Sequence, residues 1–449
     1  MWRRAHRFLL FYLLAALCGC TSSAQAPAGV TVAEREIAVP SDGEVVLSVT
    51  ASGPATAWNR NGAEAVAVSV HVDGVYRSDI VLFRGETPFS YETLLGGLRA
   101  GAHRVTLMRE PSKSSAGARE VRVDAVGARV YPSDDPLYRV MTHAPVLYGR
   151  DGSNASDTPL LMYHEQTRVG DAVTIQYTIV FSNEDGGTAP DALMARWGRL
   201  TDIEWVYRVT LDASGAVVRE EFQDSSHGTS AFRGTRDGSH PFLKDVTRNN
   251  LFADLGTSPF RFALVPAEAL PDTAREEMMD RHPWTYRVMA EEWEREKQAM
   301  TETSADPLSR ATSDPRNYLY VEFKNDASPA DPASDAKVAL QAKLRGEDRW
   351  YSSDHDTDSL RIQSRGWRRA TIELPPGTTG DRIESLRLVA YPGVRGPSCA
   401  PLITGVRTVF LLDAGYEPGP SLLTWNGSLT VEPGGPPSEA LPLSASAVR

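Results

Sequence analysis

Cysteine is scarce in this chain: three in 449 residues, at positions 18, 20 and 399. That scarcity excludes a disulfide framework. Long apolar runs are absent too. The stretch Phe8–Leu17 is ten residues long, short of the roughly 20 that a spanning helix needs. Basic clusters are missing, and the formal net charge is −11, which argues against nucleic acid and anionic lipid headgroups as ligands. There is no G-x-S-x-G elbow, no HExxH or HxH spacing, and no internal repeat. Gly186-Gly187 has neither the glycine spacing nor the lysine of a phosphate loop, so nucleotide binding is not expected. What remains is an ordinary globular composition, 41% hydrophobic and 23% charged, in a chain long enough for two or three domains.

The N-terminus reads as a targeting segment. Arg3, Arg4 and Arg7 precede the apolar run, which ends in Leu17-Cys18-Gly19-Cys20. This motif resembles the lipobox of bacterial lipoproteins. The resemblance implies a signal peptide over 1–19, with Cys20 as the mature N-terminus, thioether-linked to diacylglycerol and N-acylated (palmitate being the usual label). Two or more acyl chains anchor stably where one is marginal. The expected location is the bacterial cell envelope, with the membrane as a partner through the lipid. Loss of the three arginines takes the charge to −14, and Cys399, within Pro-Ser-Cys-Ala-Pro, has no cysteine left to pair with.

Periodicity divides the remainder. Residues 20–29 are a small-residue tether. Between 30 and 132, Val-rich alternating segments such as EVVLSVTA and AVAVSVHVDG, punctuated by Gly, Pro, Asp and Asn, predict an antiparallel β-sandwich of jelly-roll-like character. Trp58, Phe89 and Tyr91 there are candidate ligand-binding aromatics, able to stack on sugar rings. A central β-rich domain is expected over 133–300. In it, Val173, Ile175, Tyr177, Ile179 and Phe181 share one strand face, and so do Ile203, Trp205, Tyr207, Val209 and Leu211. Charged helices are expected near 271–300, divided by Pro283. A polar linker over 301–316 leads to a C-terminal β-rich domain over 317–415, and then to a Gly/Pro/Ser-rich tail over 416–449 expected to be poorly ordered. The fold class is therefore mainly β: several antiparallel β-sandwich modules around a mixed, β-rich centre that carries a helical segment.

The candidate chemistry is central. Alternation puts Asp202 and Glu204 on the non-core face of one strand, roughly 7 Å apart at the backbone. Carboxylates so placed can hold a hard divalent cation or divide acid and base duties. His227 and His240 follow in Gly/Ser-rich loops and complete a candidate catalytic or metal set with Asp202 and Glu204. Glu184 and Asp185 end a strand and read as turn residues. Two acidic loops, Asp151–Asp157 and Asp354-His355-Asp356 with Asp358, offer calcium-type oxygen ligands without matching an EF-hand.

The run from His143-Ala144-Pro145-Val146 through Asp202-Ile203-Glu204 to His227-Gly228 and Gly238-Ser239-His240-Pro241 resembles the Vps62-like family. Ile203 and Trp205 stand where that family has Trp and His, and Asn249-Asn250 where a further His is expected. The resemblance implies a β-rich fold more than a reaction.

Three functions fit these observations: a module binding a glycan or other envelope component, a hydrolase acting on an envelope polymer through the central acidic/His site, or a structural adhesin. The anchor is testable by itself. Cys20→Ala is expected to abolish incorporation of labelled palmitate and to move the protein from the membrane to the soluble fraction. Unchanged labelling would remove the lipobox reading.

Overall fold

The computed structural model describes residues 29–152, 158–184, 186–297, 312–327, 335–363, 365–393 and 399–443. Cys20 and the targeting segment lie outside these residues. The N-terminal unit comprises β1 (Val30–Val39), β2 (Gly43–Ser52), β3 (Ala67–Val72), β4 (Val75–Val81), β5 (Phe89–Leu98), β6 (Gly101–Arg109) and β7 (Arg122–Pro132). They form two antiparallel sheets, ordered β1-β6-β3-β4 and β5-β2-β7. Val45, Leu47, Val49, Val68, Val70 and Leu107 fill the space between them. This is the half-buried alternation expected of a β-sandwich.

The central unit adds α1 (Tyr138–Thr142), β8 (Val146–Tyr148), β9 (Pro159–Val169), β10 (Ala172–Phe181), α2 (Pro190–Trp197), β11 (Ile203–Leu211), β12 (Val217–Gln223) and β13 (Thr229–Ala231). It continues with β14 (Arg236–Asp237), β15 (His240–Asp245), β16 (Phe252–Ala253), β17 (Arg261–Phe262), α3 (Glu277–Arg281) and α4 (Trp284–Lys297). Strands β13-β12-β11-β10-β9 form an antiparallel sheet, and β14-β15-β8-β17 a small mixed one in which β8 and β15 are parallel. Its core is continuous with that of the N-terminal sandwich.

Pro283 separates α3 from α4, as its lack of an amide donor requires. Helix α4 is charged, as expected, and it also buries Tyr286, Val288, Met289 and Ala290. Helix α2 was not anticipated. Its signals are local: Pro190 opens it, and Gly198 closes it in the left-handed conformation at φ 65°, where a side chain would be strained. Among the described residues, no helix is long and apolar enough to cross a membrane.

The C-terminal unit is a second sandwich of β18 (Tyr318–Asn325), β19 (Lys337–Leu344), β20 (Trp350–Ser352), β21 (Gly366–Glu373), β22 (Ile383–Tyr391), β23 (Leu402–Phe410), β24 (Trp425–Thr430) and β25 (Leu441–Pro442). Its sheets run β21-β18-β23-β24 and β20-β19-β22-β25. The tail expected to be poorly ordered therefore belongs to this domain up to residue 443. Two strands extend its sheets, and Val431 and Leu443 enter its core. Short apolar anchors in a Gly/Pro-rich background escape a composition argument.

An ionic cluster joins this sandwich to the centre. Glu322, Arg369 and Arg407 come from the neighbouring strands β18, β21 and β23. The fully buried Arg369 makes a paired contact to Asp280 of α3 (2.7 and 2.5 Å), and reaches Glu322 and the Tyr286 hydroxyl, each at 2.7 Å. Arg407 bridges Glu322 (2.7 Å) and Glu277 (2.5 Å). Burial would raise the Glu322 carboxyl, but Arg407 and Arg369 hold it below its ordinary value. Beside the cluster, Tyr320 and Phe410 stack at 5.1 Å beneath Tyr286.

Removing one member of such a cluster leaves a buried charge without its counter-ion. Arg369→Met is expected to cost about 3–5 kcal/mol in chemical denaturation. It should also expose the α3–β18 boundary to limited proteolysis before either sandwich unfolds. Loss of both domains in one unchanged transition would contradict this.

A polar cleft between the central and C-terminal domains

Strand β11 departs from the expected alternation. Tyr177 pairs with Tyr207, but Thr178 pairs with Trp205, leaving Val206 as an extra residue in a β-bulge. Beyond the bulge the faces exchange. Val206 and Tyr207 are both buried, whereas Trp205 lies with Arg208, whose guanidinium sits 4.5 Å from the indole centroid. Trp205 therefore does not share the face of Tyr207. Glu204 lies opposite Ile179, and the Asp202 carbonyl accepts the Phe181 amide proton at 2.8 Å. The two acids do not decorate a solvated sheet. Asp202 is buried and Glu204 half-buried.

Both line a cleft of about 530 Å³ that has walls from two domains. From the central domain come Glu184, Gly187 and Thr188 of the β10–α2 loop, and Arg196 and Trp197 of α2. Arg199, His227, Asn249, Arg275 and Glu276 complete that side, while Ile362, Gln363 and Arg368 close it from the C-terminal sandwich. Arg199 contacts Glu276 at 3.1 Å and Asp202 at 3.7 Å. Arg275 donates to the Ile203 carbonyl at 2.9 Å. Asn250, at φ 46°, donates to Asp202 at 3.0 Å and to the Asn183 carbonyl at 3.2 Å.

Electrostatics set the protonation of the acids. Burial pushes the Glu184 carboxyl up to about 7, assisted by the charge of Asp202. Asp202 rises through burial and the neighbouring Glu204, against the pull of Arg199 and Asn250. Glu204 also rises through burial, opposed by Arg275 and Gln223. A carboxyl raised to about 7, as that of Glu184 is, is the kind of group that general acid–base chemistry uses.

Glu184 is held by a hydrogen-bonded chain. In the amide orientation that satisfies both ends, Asn249 donates to Glu184 at 2.8 Å and to the Gly186 carbonyl at 2.6 Å, and its oxygen accepts from His227 Nε2 at 2.9 Å. His227 Nδ1 lies 3.3 Å from the Gln223 amide. A turn built on Asp224 fixes the His227 backbone at φ 60°. The Asp224 carboxylate accepts from Ser226, Gly228 and Ser230, and these bonds keep it well below the usual range. Gly187, at φ +100°, faces Asn249 so closely that a Cβ there would stand 2.4 Å from its amide.

Of the four acid and histidine candidates, Asp202, Glu204 and His227 meet at this cleft and His240 does not. His240 lies at the N-terminal boundary, with Nε2 3.2 Å from Glu44 and Nδ1 3.0 Å from the Ala144 carbonyl. It is a buried interdomain partner beside a separate 250 Å³ cavity, because β15 pairs with β8 and points it away from β11. As a catalytic or metal residue of the cleft it is therefore corrected.

Asp202, Glu204 and His227 are also not gathered to metal-ligating distance. Among the described residues, the trio that is, Glu277, Asp280 and Glu322, already holds Arg369 and Arg407. The expected calcium loops fare similarly. Arg361 occupies Asp354 (2.8 Å) and Asp358 (3.2 Å), and Lys244 takes Asp151 at 2.7 Å; residues 153–157 lie outside the described set.

Nor do Trp58, Phe89 and Tyr91 form a platform. Trp58 and Tyr91 are buried, and Phe89 packs edge-on against Tyr91 and Trp284 at 5.0 and 5.3 Å. Residues 184, 249 and 250 were missed. Glu184 read as a turn acid, and the paired asparagines drew notice only where a histidine was expected.

No protein-family model matches this chain, and no curated protein matches it in sequence. Among solved structures, weak neighbours include a sugar-binding domain and glycoside-cleaving enzymes. The C-terminal domain of EclA, a sugar-binding protein, is 13% identical over 23% of this chain and 70% of its own, with a TM-score of 0.18. A ruminal GH26 endo-β-1,4-mannanase is 12% identical over 26% of this chain and 25% of its own, at 0.16. The GH2 β-galacturonidase from Eisenbergiella tayi bound to galacturonate is 14% identical over 40% and 28%, at 0.14. Likenesses this slight identify neither a shared fold nor a shared ligand.

The raised Asp202 carboxyl makes a signed pH prediction. A group whose folded pKa exceeds its unfolded value favours the fold while protonated. That contribution is lost as pH climbs from its ordinary 3.8 through about 7. Asp202→Asn should remove this loss, so the variant minus wild-type stability should grow with pH, reaching at most about 4 kcal/mol by pH 8. Urea titrations from pH 4 to 8 measure it, and a pH-independent difference would contradict it.

Proposed function

We propose that the chain is an envelope-anchored hydrolase that takes a glycan or similar polyhydroxylated envelope polymer into the cleft between its central and C-terminal domains. The observation that carries this reading is the convergence, from two domains, of four carboxyls, a histidine and several guanidinium groups on one cleft. Such convergence of polar groups in a concave site is the physical mark of a place where chemistry is done.

Glu184 is the proton donor in this reading. It is held near neutrality by burial and aimed by Asn249 and His227. Its proton passes to the leaving-group oxygen as the glycosidic carbon–oxygen bond breaks. Glu204 takes the proton from the water whose oxygen bonds to that carbon. Asp202, engaged by Asn250 and Arg199, stands beside Glu204 and holds these cleft-lining groups in place.

Binding without turnover is a second reading, favoured by one observation: Arg199 and Arg275 counter the charges of Asp202 and Glu204.

Release of reducing ends from peptidoglycan and from a panel of soluble polysaccharides tests the pair. Glu184→Gln is expected to lower turnover by about 10²–10⁴ while retaining the substrate in pull-down. Retention by the wild type without reducing-end release would instead establish the binding role.

A further inference from the structure

The arginines of the cleft are not alike. Arg199 has Glu276 and Asp202, and Arg275 has the Ile203 carbonyl and the nearby Glu204. Arg196 is half-buried on the last turn of α2, yet it has no carboxylate or hydrogen-bond partner among the described residues. It lies over the face of Trp197, with the guanidinium carbon 4.4 Å from the ring centroid. Burial without a counter-charge lowers its pKa.

A cation–π contact at a partly exposed site returns less than the withdrawal of a charge from water costs when no partner compensates. The fold therefore holds a half-buried cation without a described counter-ion in a cleft lined mainly by polar side chains. Across from it, Arg368 enters from β21 of the other domain. Among the acids of the cleft, Asp202 and Glu276 are engaged by Arg199, and no described carboxylate lies within ion-pair distance of Arg196.

We propose that the cleft takes an anionic ligand, a sugar bearing a carboxylate or phosphate group, and that Arg196 receives that group. The planar guanidinium fork matches both anions in a paired geometry that lysine lacks. Trp197, flanked by Arg196 and by Arg199 at 5.7 Å, orients the fork. Arg196 is a binding residue in this account, and the proposal rests on the cleft being the ligand site.

Calorimetry and thermal-shift titrations with glucuronate, glucose 6-phosphate and glucose test it. The wild-type protein is expected to bind one or both anions saturably, with at least tenfold preference over glucose. The comparison between the two anions identifies the group recognised. Arg196→Met should weaken anion binding at least tenfold and Arg196→Lys less, while the ligand-free Tm of Arg196→Met stays equal or rises, since an uncompensated charge has been removed. A lowered Tm with unchanged anion affinity would show a structural arginine and overturn the proposal. So would equal affinity for glucose, or binding of neither anion. Glu184→Gln should keep anion binding, so failure of the hydrolase reading in the reducing-end assay is separable from failure of this one.

Discussion

Arg369 is the constraint on which the rest of the molecule depends. A fully buried guanidinium needs counter-charge on every accessible side, and here that charge comes from two domains: Glu322 on its own sheet, and Asp280 on the helix opposite. The ion pairs are directional, so they allow one seating of the C-terminal sandwich on α3 and α4. The stacked Tyr320 and Phe410 below them, with Tyr286 edge-on, add apolar area to a contact that charge alone would not stabilise. The cleft follows from this seating, since Arg368 is the strand neighbour of Arg369 and is carried into the wall opposite Glu184.

Within the cleft, the burial of acids works against stability. Water would ionise Glu184, Asp202 and Glu204 readily, and the fold withdraws them from it. Their protonated forms gain and the native state is weakened as pH rises, a common feature of sites where acids are used. The surrounding structure sustains this through rigid local devices rather than through more charge. These are the Asp224 turn that fixes His227, the Asn249 bridge to Glu184, and the Asn250 contact to Asp202.

Much of the fold was legible because strand periodicity is local. The alternation of β10, the helix break at Pro283 and the sandwich character of both ends follow from residue types within a few positions. Asp202 and Glu204 were legible as a pair for the same reason, their two-residue spacing. Their environment was not. A one-residue bulge at Val206 exchanges the faces of β11, and nothing within that strand's own alternation signals it. Glu184 read as a turn acid because its distinguishing partners, Asn249 and His227, are distant in sequence. His240 was grouped with them by residue type, and β8–β15 pairing sends it to Glu44 instead.

By itself, then, the sequence determined the strand-rich class, the position of the helical segment and the identity of two of the cleft's acids. The reading of Cys20 as a lipid anchor also rests on sequence alone. Tertiary structure decided which residues share a cleft, which carboxyls burial pushes up and which arginine has no counter-charge among the described residues. The reason is physical. Periodicity and turn chemistry act over a few bonds, whereas desolvation and Coulomb interactions depend on the distances between residues 184, 202, 249 and 368, which the packed domains alone establish.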